Sequence, residues 1–575
     1  MGMAHRCGSI KQPILGTPSF ESTAMLSANL PPWVFWTAIF TTALCITWIY
    51  TTSRSKLPLP PGPMKLPVVG SLFNMTARPW EACMELSKKY NSDIIHLKLA
   101  HTSVIVLSSF EATEALLEKR SSIYSDRPKS PMAGDLMGWN FLLAMMKYGD
   151  EWRTHRRLIN QEFNVAASRK FRDAERIATH AFLRRLLNNP EGFLGHLNMM
   201  AGEVMVSAAY GIDALSVNGR YIALGKEATK SFSNAMVPGR YLVDFIPILK
   251  YVPEWFPGAQ FKRTAREGRL LSQSLRDIPF AETKHKMASG SAKSCFTVNA
   301  LRELESGCAY YQEYTVKNVA AMMYLGGADT TVSVLSTFIL AMIANPDAQK
   351  KAQQEIDSVV GQGNLPDFDD EKAMPYVSAL VKEALRWKNA GPFGAPHVLT
   401  VDDEYRGYHL PAGSLVFGNV WAILHDEIEY PDPYAFKPER FLLDGKLNPA
   451  VKDPQCAFGF GRRICPGRHM AISSIWITIV SLLATFDISK ELGEDGCPIE
   501  PSYEYEDGIL TSSIQMYDKT AIPGGSQSDS DDLYRYLVYL IAPHSDDDDD
   551  DDDISYFTQG IGLSSLIPRI VILAS

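Results

Sequence analysis

The chain runs to 575 residues, 46% of them hydrophobic and 21% charged, with a formal net charge of −9. Length and apolar content support one large core, and the charge is local: residues 521–575 carry eleven aspartates against two arginines, so residues 1–520 are neutral overall and lack the basic footprint of a nucleic-acid binder. Eight cysteines, at 7, 45, 83, 295, 308, 456, 465 and 497, show no paired spacing and no Cys-x-x-Cys, which argues against a disulfide framework or zinc site and for a reducing compartment.

Residues 1–30 precede an apolar stretch, 31–52. No charged residue occurs between Glu21 and Arg54, and Trp33–Tyr50 (WVFWTAIFTTALCITWIY) would rise roughly 27 Å as a helix, enough to cross a bilayer. Trp33, Trp36, Trp48 and Tyr50 crowd its ends, and Arg54 and Lys56 follow, the pattern of interface anchors with a cytoplasmic flank. No small-residue cleavage site follows the run. The expectation is a single N-terminal transmembrane helix with residues 1–30 on the lumenal side. Residues 53–63 then form a hinge, where Pro58, Pro60, Pro61 and Pro63 forbid helix and set a stiff spacer.

Residues 64–520 read as one mainly α domain with small β-sheets. The stretch 94–107 (IIHLKLAHTSVIVL) alternates and is rich in β-branched types, a hairpin with its turn near Ala100–Thr102. Helical spacing follows over Glu111–Lys119, Glu151–Phe163, Ala166–Leu187, Glu313–Ala344 and Ala348–Val360, and strand signals return near 398–418. Val243–Gly258 mixes three prolines with large apolar side chains, either a surface that rests on a membrane or a segment packed inward. Beyond 521, eight consecutive aspartates, Asp546–Asp553, indicate a disordered acidic tail, an interaction segment or an extended reading frame.

Several constellations carry chemistry. Within the apolar helix Ala320–Thr337, Gly326 and Gly327 together cost about 2 kcal/mol of helix propensity, and Asp329 costs more unless it has a task or partner. Glu383 and Arg386 share one helical face and can pair. Trp152 and Arg156, one turn apart, offer an indole N–H and a guanidinium fork. In Phe458-Gly-Phe-Gly-Arg-Arg-Ile-Cys-Pro-Gly467, glycines at 459, 461 and 467 permit close approach of a flat ligand, and Arg462 and Arg463 favour an ionised Cys465.

That last stretch resembles the haem-ligand loop of the cytochrome P450 family, Phe-x-x-Gly-x-Arg-x-Cys-x-Gly. The likeness extends over about residues 58 to 510, through Tyr124-Ser-Asp-Arg-Pro128, Trp152-x-x-x-Arg156, Gly327-x-Asp329-Thr330, Glu383-x-x-Arg386, Pro396-His397 and Pro438-Glu-Arg-Phe441. It implies a cytochrome P450 fold behind a membrane anchor, and haem b with Cys465 as axial ligand, framed by Phe458 and Gly459. Trp152, Arg156, His397 and Arg463 would hold the propionates, Asp329 and Thr330 would handle protons, and Glu383, Arg386 and Arg440 would brace the loop. The apolar stretch Met132–Met146, with Met322–Leu325, Phe393 and Ala395, would line the substrate cavity. The implied activity is monooxygenation of a lipophilic secondary metabolite, such as a terpenoid or polyketide, or of an aromatic xenobiotic, at the endoplasmic reticulum membrane. Electrons would come from NADPH-cytochrome P450 reductase docking near Arg462, Arg463 and Arg468. The rivals are a haem-thiolate isomerase or dehydratase and a non-enzymatic haem-binding membrane protein.

Overall fold

The computed structural model describes residues 36–37, 39–45, 57–66, 70–71, 74, 76, 78–99, 102–213, 219–237, 239–490, 497–500, 505–506, 513–514, 540–541 and 570–574. Contacts divide the chain between Pro58 and Leu59, inside the proline-rich stretch. In the first part residues 36–37 and 39–45 are helical, with Trp36, Ile39, Phe40 and Leu44 exposed. The rest of the expected 31–52 anchor, and all of 1–30, lie outside the described residues.

In the second part, helix α1 (Pro79–Tyr90) starts on a proline, harmless in a first turn, and ends at Asn91 in the left-handed conformation. It packs on a hairpin of β1 (Ile94–Leu99) and β2 (Thr102–Leu107), paired from Ile94↔Leu107 to Leu99↔Thr102, as the alternation predicts. The long helices follow: α2 (Asp150–Phe163), α3 (Arg172–Asn188), α4 (Phe193–Tyr210), α5 (Arg220–Met236), α6 (Gln260–Ala288), α7 (Phe296–Glu305), α8 (Glu313–Ala344), α9 (Pro346–Val360) and α10 (Pro375–Trp387). Then come β3 (His397–Val398), the hairpin β4 (Asp403–Tyr405) and β5 (Tyr408–Leu410), β6 (Leu415–Gly418), α11 (Arg468–Thr485) and β7 (Phe486–Lys490). Strand β6 joins β2 in parallel and β3 antiparallel, giving the sheet order β1-β2-β6-β3.

Helix α8 lies at the centre of the helical layer, buried along most of its length and packed chiefly on α4, and also on α6, α7, α10 and α11. Both α8 and α11 are apolar and long enough to cross a membrane, yet 72% and 61% of their apolar windows are buried within the fold. They are core helices, in which each buried Leu, Ile, Val or Phe contributes about 1.5–3 kcal/mol.

Three sequence expectations shift. The helix expected from Ala166 begins at Arg172, because Asn164 Oδ1 accepts the N–H groups of Ala166 and Ala167 at 3.1 and 3.0 Å and Ala167–Phe171 winds as a tight 3-10 turn. The stretch Glu111–Lys119 splits into one α-turn capped by Ser109 and a wider π-helical turn over Glu114–Lys119. In 243–258 the prolines break the chain into short turns, so no continuous stripe can face the core. Phe245, Ile246, Ile248, Tyr251, Trp255 and Phe256 are exposed, and only Val243 is buried. Inward packing is therefore overturned for those six side chains.

Near the C-terminus, Tyr505–Glu506 and Ser513–Ile514 pair antiparallel. Within 521–575 only Leu540–Ile541 and β8 (Ile570–Ala574) are described, and β8 adds to β7 in parallel. The aspartate run lies outside the described residues.

Candidate active site around Cys465

The loop before α11 is fixed by its own backbone. The Cys465 N–H donates to Phe458 O at 2.8 Å, and Gly459 and Gly461 take φ of 85° and 53°, a region that glycine enters without strain. At Gly461 a Cβ would fall 2.0 Å from Leu117 O, so the loop can seat against the Glu114–Lys119 turn only without a side chain there. Arg156 donates to Ile464 O at 2.6 Å and Arg468 to Cys465 O at 3.3 Å. Burial pushes the Cys465 thiol up, opposed by the Gly467 N–H and by the charges of Arg156 and Arg468. The arginines that favour an ionised sulfur are thus these two, which corrects the expectation for Arg462 and Arg463. Arg462 points outward to the Tyr148 hydroxyl, and Arg463 binds the carbonyls of Ser125, Leu143 and Met146 at 2.7–2.8 Å.

Behind the loop, Glu383 on α10 is fully buried and fully engaged. Its oxygens accept from Arg386 at 2.7 and 2.8 Å, from Arg440 at 3.1 Å and from the Lys437 N–H at 2.8 Å. Arg386 and Arg440 donate onward to the carbonyls of Leu424, Ala435 and Pro431. The triad expected from the sequence is assembled, and it ties α10 to the segment leading into the cysteine loop.

Beside the loop, cations gather without ion pairs among the described residues. Trp152 on α2 is buried with its Nε1 donor unbonded, and the Arg463 guanidinium lies 4.6 Å over its ring. Arg127, from the Tyr124–Pro128 turn, is buried, bonds the Ala395 and Pro396 carbonyls, and leaves Nε without a partner. Burial lowers Arg127 to about 9, with Arg463 adding to the fall, and lowers Arg463 and Arg156 to about 10, while Asp126 pulls the other way at Arg127 and Arg463. His397 Nδ1 meets Tyr124 O at 2.7 Å, so that nitrogen is the donor, and burial with Arg127 and Arg463 nearby holds the ring neutral. An orphaned buried N–H costs roughly 1–3 kcal/mol, so this cluster fits an anionic acceptor such as a propionate. Arg127 escaped the sequence reading because an arginine before a proline in a turn has the pattern of an ordinary surface residue.

On the other side stands α8, which packs against both α2 and α11. The two glycines differ in purpose. A Cβ on Gly326 would meet nothing within 4 Å, whereas one on Gly327 would lie 2.2 Å from Met205 Sδ, so Gly327 serves the α4 contact and Gly326 the open space. Thr330 Oγ1 donates to Gly326 O at 2.9 Å. Burial raises the Asp329 carboxyl, with Lys226 on α5 pulling the other way. Asp329 makes no hydrogen bond among the described residues, and none joins Asp329 or Thr330 to Cys465. Of the expected cavity wall, Met132, Met322 and Phe393 are buried in packed clusters, and Met322 Sδ accepts the Leu143 N–H at 2.9 Å.

Comparison with known proteins decides the family, since a family model for cytochrome P450 matches residues 60–513. The chain belongs to the cytochrome P450 family. It is 43% identical over 474 residues to cytochrome P450 monooxygenase 98 of Postia placenta, covering 82% of this chain and 91% of that one. It is 41% identical to cytochrome P450 monooxygenase ple1 of Rhodocybe pseudopiperita, covering 85% and 93%, and 38% identical to tryptamine 4-monooxygenase of Psilocybe cyanescens, covering 81% and 93%. These relatives are fungal monooxygenases, and as a cytochrome P450 this chain is an oxidoreductase of the haem-thiolate class.

Proposed function

We propose that this cytochrome P450 is a membrane-anchored monooxygenase that places one atom of O2 in a lipophilic small molecule and releases the other as water. The observation that carries the reading is the set of buried donors beside Cys465, Trp152 Nε1 and Arg127 Nε, left without acceptors where a haem carboxylate would supply them. Cys465 would supply the thiolate that holds the haem iron, and Phe458 and Gly459 shape the loop that carries it. Arg127, Trp152 and Arg156 bind the propionates, Arg463 through the N–H groups its carbonyl bonds leave over. His397, kept neutral by burial and by Arg127 and Arg463, would join them through its other ring nitrogen. Haem, when bound, supplies dioxygen activation, for which a thiolate ligand is suited.

Two protons are consumed in each turnover, and Asp329 and Thr330 manage their entry. Burial makes the Asp329 carboxyl a better proton holder, and the Thr330 hydroxyl can turn from the Gly326 carbonyl toward the open space that Gly326 leaves. Electrons come from NADPH through a separate reductase, whose docking face is the exposed set Arg153, Arg157 and Arg462 with Arg468 at its edge. Arg463, which points inward, is not part of it. The exposed apolar side chains of 245–256, together with the run Trp33–Tyr50, support an endoplasmic reticulum membrane location from which a lipophilic substrate would enter. The substrate is a terpenoid, a polyketide or an aromatic xenobiotic, and the name of one relative, tryptamine 4-monooxygenase, supports an aromatic one.

The test is the ferrous carbon monoxide spectrum of the full chain and of Cys465→Ser. The wild type should show the thiolate-ligated form and the variant should lose it. A wild-type spectrum without thiolate character would end the proposal.

A further inference from the structure

Glu175, on α3, is 1% exposed and has no part in the site described above. Its two carboxylate oxygens accept from the Ser473 and Ser474 hydroxyls of α11 at 2.6 and 2.9 Å. Two hydroxyls and no paired base are a poor environment for a charged carboxylate, and burial pushes Glu175 up to about 7. The one charge that acts on it is Arg172 of its own helix. Its neighbours carry no other: α4 presents Met200, Ala201, Val204 and Met205, α8 presents Gly327 and Thr331, and Lys170, before α3, is paired with Glu162.

Glu175 also lines a cavity of about 10 Å³ open to the centre of a water molecule, and Thr179, Thr331, Ser474 and Thr478 share its walls. That is room for about one water, and the polar partners a buried water needs are present. Thr179 and Thr478 hydroxyls lie 3.3 Å apart, and Thr331 Oγ1 rests on the Gly327 carbonyl at 2.8 Å. At 100° per residue, Gly327 and Thr331 each lie about 160° around α8 from Asp329, whereas Thr330 is about 60° from Gly327. The cavity therefore reaches α8 on the face away from Asp329, with Thr330 on the flank between the two.

We propose that this cavity holds a water molecule and that Glu175, through that water and the Thr331 hydroxyl, donates protons to α8 from the side opposite Asp329. The inference rests on the reading of Gly326–Thr331 as the segment over the haem. The proton leaves the Glu175 carboxyl for the water, the water passes one to Thr331, and Thr331 releases its own toward Thr330 as it lets go of the Gly327 carbonyl. Glu175 remains as a carboxylate held by Ser473 and Ser474 and regains a proton from solvent. Two protons per turnover then have two acids to supply them, buried Glu175 and half-buried Asp329, acting on opposite faces of the helix.

The test compares the full-length holoenzyme with Glu175→Gln and with Thr331→Val, which keeps the acid and removes one relay hydroxyl. Infrared difference spectra should show a protonated carboxyl band that titrates near 7 and is missing in Glu175→Gln. The native state then binds more protons than the unfolded one between pH 4.5 and about 7, so wild-type stability falls as pH rises through that window and Glu175→Gln loses the fall. With an NADPH-dependent reductase, both variants should lower the ratio of product to peroxide by about tenfold, and Glu175→Gln should lose the wild type's pH dependence of that ratio near neutrality. An unchanged carbon monoxide spectrum keeps the haem reading intact and confines any failure to Glu175. A carboxyl that titrates near 4.5 would overturn the inference. So would an altered melting temperature beside an unchanged peroxide ratio and pH profile, which is what a structural role predicts.

Discussion

Behind Cys465, Glu383 engages both oxygens with Arg386, Arg440 and a backbone N–H, and the two arginines run on to further carbonyls. Across α8, Asp329 is half-buried, its carboxyl without a hydrogen bond among the described residues, and Thr330 bonds only its own helix. A carboxylate is saturated on one side and left open on the other. A saturated network has one low-energy arrangement and holds a ligand still. An open one keeps protons and hydroxyls free to change partners, which chemistry requires and rigidity would forbid.

The largest expected effect comes from breaking the saturated side. Arg386→Ala leaves a buried carboxylate short of its main partner and should cost about 3–5 kcal/mol, read by urea denaturation, with loss of haem content in the purified protein. A loss under about 1 kcal/mol would mean that the bracket is not what holds the loop. Next come the two glycines. Gly327→Ala drives a methyl into Met205 and should cost about 1–3 kcal/mol, whereas Gly326→Ala meets no atom and should gain up to about 1 kcal/mol of helix propensity. Equal melting temperatures for the two variants would refute the division of labour between these glycines. The smallest stability change belongs to Thr330→Ala, which removes one intrahelical hydrogen bond and should shift unfolding by about 1 kcal/mol or less, while peroxide release per NADPH rises sharply. Unchanged coupling there would remove Thr330 from proton handling.

Legibility in the sequence follows the same division. Local rules announce themselves: the hairpin 94–107 alternates, and α8 betrays its task because glycines and an acid contradict an apolar helix. The helices α4 and α11 give no such signal, since burial on nearly every side erases the polar stripe that reveals a helix. Helix α6 carries Pro279 in its interior, which reads as a break. Glu175 fell within a segment read only as a helix, and its significance depends on Ser473 and Ser474, nearly 300 positions away. Arg462 and Arg463 are adjacent in the motif, yet the backbone sends one outward and one inward, a distinction that no spacing encodes.

The crowding of Arg127, Arg156 and Arg463 bears on how the enzyme comes to exist in a cell. Burial lowers the proton affinity of all three guanidiniums, and the nearby charge of Asp126 offsets only part of the fall at Arg127 and Arg463, so the polypeptide alone carries a desolvation penalty there. A ligand bearing two carboxylates removes that penalty on arrival, and whatever binds only the folded chain stabilises it by mass action. If haem is that ligand, its supply would act as a checkpoint on biosynthesis, since chains made faster than it reaches them would lack that stabilisation and stay more open to proteolysis.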